Sequence, residues 1–118
     1  MRILLAVTSI IASAIALVNA STRNAAATAS DEASIAIRTF QFAPDTVRVR
    51  AGTRVLWSNN DDIEHTITSG TADDTKGPFH GVVAKSGATY SAMLNEPGTY
   101  RYFCDRHRFM NGTVIVTR

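Results

Sequence analysis

Cys104, His107 and Met110 stand three residues apart in the run Tyr102-Phe103-Cys104-Asp105-Arg106-His107-Arg108-Phe109-Met110-Asn111-Gly112. The apolar segment Thr113-Val114-Ile115-Val116-Thr117 follows directly. A thiolate, an imidazole and a thioether on one short loop form a donor set suited to copper. The thiolate binds strongly, imidazole accepts both oxidation states, and the thioether is a weak axial donor. A second imidazole completes such a set, and His65, in Glu64-His65-Thr66-Ile67, is the candidate. A single mononuclear copper held by His65, Cys104, His107 and Met110 exchanges one electron at a time. Zinc on a Cys, His, His site is the lesser alternative.

Taken singly, each of these residues has a plainer reading. A lone Cys in a strand is a small buried hydrophobe, Met110 a core residue and His107 a surface residue. The shared spacing, with a fourth donor upstream, argues against three coincidences. His80 has no sulfur neighbour in sequence and reads as a loop or surface residue, and Met93 reads as core.

The elements that must carry this loop are short and alternating, separated by turn residues in the manner of an antiparallel sandwich or barrel. Strands are expected near 34–40, 45–50, 53–59, 65–69, 79–83, 88–94, 98–104 and 112–117. Turns are marked by Pro44-Asp45, Ala51-Gly52, Asn59-Asn60-Asp61-Asp62, Ser86-Gly87 and Glu96-Pro97-Gly98. Alternation puts Val55 and Trp57 on one face, and Tyr100, Tyr102 and Cys104 on one face of a later strand. Cys104 then points into the core at its strand's end, while Phe103 faces the other way. No helix longer than a turn or two is expected after residue 20, and neither a repeat nor a second domain.

The beginning of the chain sets the expected compartment. Arg2 precedes an apolar run from Ile3 to Val18, and Val18-Asn19-Ala20 ends it with small or compact residues. Residues 1–20 read as a secretory signal cleaved near Ala20, too short and too polar at its far flank for a stable membrane anchor. Residues 21–33, rich in Ala, Thr and Ser, read as a flexible lead-in, and 34–118 as one domain with one modest core. Small exported domains often depend on disulfides or a metal. The chain has 1 Cys, so no disulfide can form within it, and ligation is the expected fate of the thiol.

The order of these pieces resembles the cupredoxins, specifically the plastocyanin and amicyanin group of small blue-copper proteins. The resemblance runs from about residue 37 to 118. It rests on Phe40-Gln41-Phe42-Ala43-Pro44, Gly52-Thr53-Arg54-Val55-Leu56-Trp57-Ser58-Asn59, His65-Thr66-Ile67 and Glu96-Pro97-Gly98-Thr99-Tyr100-Arg101-Tyr102-Phe103-Cys104 with His107 and Met110. The gap between His107 and Met110 is as short as in amicyanins. The resemblance implies an all-β Greek-key sandwich or barrel of about eight strands, with one type 1 copper held by His65, Cys104, His107 and Met110. It also implies a one-electron carrier between protein redox partners, with the edge of His107 as the electron port.

Two departures stand out. Thr66 occupies the place after His65 where the family often has Asn, and Arg106 and Arg108 replace the prolines that commonly flank the second His. The two arginines put positive charge beside the port, so the expected partner presents an acidic face. Asp61, Asp62, Glu64, Asp73 and Asp74 read as loop solvation. With 12 Lys and Arg against 10 Asp and Glu, and no aromatic interleaving, nucleic acid is not an expected partner.

The expected protein is therefore an exported or periplasmic monomer and not an enzyme, because a copper oxidase or reductase needs further copper centres. A copper chaperone or buffer is the alternative. Methionine-rich stretches would favour it, and beyond residue 20 the chain holds only Met93 and Met110.

Overall fold

The computed structural model describes residues 31–118. The stretch read as a secretory signal, and most of the lead-in, lie outside the described residues. Nine strands follow: β1 Glu32–Arg38, β2 Gln41–Ala43, β3 Thr46–Arg50, β4 Thr53–Asn59, β5 His65–Ser69, β6 His80–Val83, β7 Thr89–Leu94, β8 Gly98–Phe103 and β9 Asn111–Thr117. They form two open sheets, β2-β1-β4-β7 and β3-β9-β8-β5-β6. Each sheet contains one parallel pair, β1 with β4 and β3 with β9, among antiparallel ones. The architecture is a sandwich of two mixed sheets. Among the described residues no helix is long and apolar enough to cross a membrane.

The alternation in sequence becomes the two-sidedness of the sheets. On β4, Thr53, Val55, Trp57 and Asn59 are buried while the residues between them are more exposed. On β9, Gly112, Val114 and Val116 turn inward. Ile35, Ile37, Phe42, Val55, Trp57, Ile67, Phe79, Tyr102 and Val114 meet between the sheets. Each large apolar side chain removed from water there contributes about 2 kcal/mol. Cys104 and Met110 belong to the same cluster, so the metal-binding loop is packed onto the end of the core. Phe103 is buried too, but beside Thr68 on the opposite face of its sheet.

Two local expectations need correction. The run read as one strand over 34–40 is two: β1 starts at Glu32, inside the stretch read as lead-in, and the chain reverses at Thr39-Phe40 into β2. Both turn residues have positive φ, 53° and 57°, as a two-residue hairpin of the favoured twist requires. Neither is Gly or Asn, so the turn is silent in the sequence. Met93 is 51% exposed and not core, because β7 turns Tyr90, Ala92 and Leu94 inward and leaves Met93 outside, opposite Arg54. His80 is exposed, as expected, and opens strand β6 within the span read as a strand over 79–83.

Candidate metal centre

His65 opens β5 and Cys104 follows directly on β8, two strands paired in one sheet. His107 and Met110 lie in the tight turn from Cys104 to β9. That turn is closed by its own main chain: the Met110 N–H donates to the His107 carbonyl at 2.8 Å and the Cys104 N–H to the Met110 carbonyl at 3.2 Å. Cys104 and His65 are fully buried, Met110 nearly so, and His107 is half-buried.

The donor atoms of three of the four residues converge. Cys104 Sγ lies 3.9 Å from His65 Nδ1 and 3.7 Å from His107 Nδ1, and the two Nδ1 atoms are 3.2 Å apart. A triangle with these edges has its centre about 2.1 Å from every corner, the length of a metal–imidazole bond. These three donors would hold one ion between them. Met110 is buried on the same loop.

The surroundings fix which atoms face inward. His65 Nε2 lies 2.9 Å from Asp61 Oδ2, so the ring donates that proton to the carboxylate and turns the lone pair of Nδ1 toward the centre. Asp61 also accepts the main-chain N–H groups of Thr39, at 2.7 Å, and Phe40, at 3.0 Å. Burial pushes the Asp61 carboxyl up, but the Phe40 N–H, the His65 ring and the Thr39 N–H outweigh it and hold it below its ordinary value. One carboxylate thus pins the strained hairpin and orients a metal-binding histidine. Asn59, fully buried, braces the same loop by donating to the carbonyls of Ile63 and Val83 and accepting the Asp61 N–H.

Thr66 holds the thiolate side. Its N–H points at Cys104 Sγ at 3.4 Å, and its hydroxyl accepts the Asp105 N–H at 2.8 Å. Across the centre, Arg106 Nε donates to Glu64 Oε1 at 2.6 Å. This ion pair joins the residue before His107 to the residue before His65. Outside it lies an apolar rim. Phe40 meets the His107 ring edge-on with centroids 4.9 Å apart, and Phe109, 71% exposed, flanks the ring at 6.2 Å.

Residues 29–117 match the family of copper-binding proteins described as plastocyanin/azurin. The chain belongs to the plastocyanin/azurin family of copper-binding proteins. It is 34% identical over 82 residues to amicyanin-alpha of Methylorubrum extorquens, covering 70% of this chain and 69% of that one. It is 32% identical over 83 residues to plastocyanin of Scenedesmus fuscus, covering 64% and 85% of the two chains. A solved purple cupredoxin from Nitrosopumilus maritimus superposes with a TM-score of 0.66 at 25% identity, over 72% of this chain and 99% of its own. The donors present fit the metal of this family. Two neutral imidazoles and a thiolate in a buried triangle suit copper in both oxidation states.

The cupredoxin's sequence made the donors visible and hid what holds them. His65, Cys104 and His107 come together as read, and His80 stays apart. Asp61 and Glu64, read as loop solvation, are engaged with the site. Arg106, read as free positive charge at the port, is paired with Glu64. Nothing in the spacing of Asp61 and His65 within a loop announces that the same carboxylate also holds the N–H groups of Thr39 and Phe40.

Proposed function

We propose that this cupredoxin is an exported, monomeric one-electron carrier in which His65, Cys104, His107 and Met110 would hold one copper ion. The bound copper supplies the one-electron couple; the chain supplies fixed donors and an exit. The observation that carries the reading is the burial of Cys104 and His65, which leaves the His107 edge, between Phe40 and Phe109, as the outward-facing side of the triangle. A thiolate and a histidine sealed from solvent favour electron transfer over ligand exchange or substrate binding. Rigid donors also keep the reorganisation between oxidation states small.

Electrons enter and leave through His107, and the apolar rim docks a protein redox partner closely enough to exclude water. With Arg106 neutralised by Glu64, Arg108 is the charge by which an acidic partner face is drawn to the port. Residues 1–20 act as the leader that takes the chain out of the cytoplasm, where the lone thiol is protected by its metal. The relatives named amicyanin and plastocyanin support the carrier role over a chaperone or an enzyme.

Voltammetry of the copper-loaded mature chain tests the proposal. A single reversible one-electron wave, with copper retained through repeated cycles, is expected. Loss of copper on reduction, or capture of the Cu(I) by a competing chelator at every cycle, would replace the carrier reading with a copper-handling one.

A further inference from the structure

A closed ring of hydrogen bonds lies outside the copper loop, on the face of β5 opposite the core. The Asp105 N–H donates to Thr66 Oγ1 at 2.8 Å, and the Thr66 and Thr68 hydroxyls are 3.2 Å apart. Thr68 Oγ1 donates to Asp105 Oδ2 at 2.9 Å, which closes the ring. His80, directly opposite Thr68 in the β5–β6 pair, brings Nδ1 to 3.0 Å from the same hydroxyl. Thr66 and Thr68 are both buried.

Counting protons assigns every bond. A hydroxyl has one proton and two acceptor sites. The Asp105 carboxylate has no proton to give, so Thr68 spends its own there. Thr68 must therefore accept from both other neighbours, the Thr66 hydroxyl and the His80 ring. Thr66 accepts the Asp105 N–H and gives its proton to Thr68. His80 is thereby the tautomer protonated on Nδ1, and all the donors of the ring are used.

The geometry points to His80 as a positioning residue for the copper centre. It acts through Thr68 on Asp105, whose peptide nitrogen is bonded to Cys104. The same Thr66 that takes the Asp105 N–H also aims its own N–H at Cys104 Sγ. Cys104 is thus gripped at its sulfur and at its following peptide, and His80 completes the grip from strand β6. Without the His80 proton, a buried acceptor site on Thr68 is left open and the ring has one fewer tie to the sheet. This inference rests on the copper reading above, and its test has one arm that needs no metal.

The test compares His80→Asn with His80→Leu in the mature chain. Asn can place an amide N–H where the ring has Nδ1–H; Leu keeps bulk and donates nothing. Relative to the parent, His80→Leu is expected to lose on the order of ten-fold in Cu(II) affinity by chelator competition. It should also shift the sulfur-to-copper absorption band and, in the metal-free chain, exchange its Asp105 amide proton faster. His80→Asn should keep all three near the parent. Parental affinity and Asp105 protection in His80→Leu would overturn the assignment. So would equal losses in both variants, or nitrogen NMR of the metal-free parent showing the His80 proton on Nε2. If the parent itself takes up no copper, the copper reading fails, while amide exchange still reports on the ring.

Discussion

Asp61 ties the β1–β2 turn to a candidate copper donor. Its carboxylate takes two main-chain N–H groups from the Thr39-Phe40 turn and the Nε2 proton of His65. Asp61→Ala should therefore cost about 2 kcal/mol of stability in the metal-free chain, read by urea unfolding. It should also cost on the order of ten-fold in copper affinity, read by chelator competition. Because the folded chain holds the Asp61 carboxyl below its ordinary value of 3.8, this stabilisation is whole above that pH and is lost as the pH falls through the folded value. Tyr102 is the opposite case. Its hydroxyl and the Trp57 indole nitrogen are buried and face each other without reaching hydrogen-bond geometry. Burial pushes the Tyr102 pKa up to about 12, offset only in part by the facing Trp57. Its ionisation is harder in the folded chain, so stability is unaffected below pH 10 and falls as the pH rises from 10 toward 12. Tyr102→Phe should gain about 1 kcal/mol at neutral pH and remove this alkaline loss, both measurable by pH-dependent chemical unfolding. The donors themselves were legible because their chemistry is local and their spacing is short. Asp61 and Tyr102 were not, since Asp61 takes its turn partners Thr39 and Phe40 from 22 and 21 residues away and Tyr102 faces Trp57 from another strand.

At the level of elements, the copper loop depends on the seat that β8 and β9 give it. Tyr102, two residues before Cys104, lies flat over Gly112, its partner across the strand pair. A Cβ at Gly112 would overlap the hydroxyl end of the Tyr102 ring, and the ring is packed into the core. Gly112→Ala should cost about 3 kcal/mol by overpacking and disturb the copper absorption through Cys104. Thermal unfolding and the visible spectrum, read on the same sample, check both effects. Most strands were readable from alternation alone, and β4 and β5 have the limits expected from it. Alternation failed at two places for the same reason, that it carries no information on which face meets a second sheet or where the chain turns back without Gly or Asn. Met93 and the β1–β2 hairpin are those places. The hairpin matters most, because it carries Phe40 over both histidine rings.

For the whole molecule, the sandwich is a rigid holder with its chemistry at one end. The outward surface there combines Phe40 and Phe109, both against the His107 ring, with a bound ion pair, Arg106 with Glu64, and Arg108 follows His107 in the chain. A charge that is already paired steers little, so the ionic part of docking should fall on Arg108. Arg108→Glu should slow electron exchange with an acidic partner on the order of ten-fold at low salt, while Arg106→Gln changes it much less. Stopped-flow rates across a salt series check this, because steering weakens as salt shortens the reach of charge. Cys104 is proposed to bind copper as a thiolate together with His65 and His107. A visible absorption spectrum of residues 21–118 with one equivalent of Cu(II), beside Cys104→Ser, tests it most directly. The parent is expected to show an intense visible band that bleaches with ascorbate and is missing in Cys104→Ser. A parent that stays colourless with Cu(II), or a band that survives the loss of the sulfur, would contradict it.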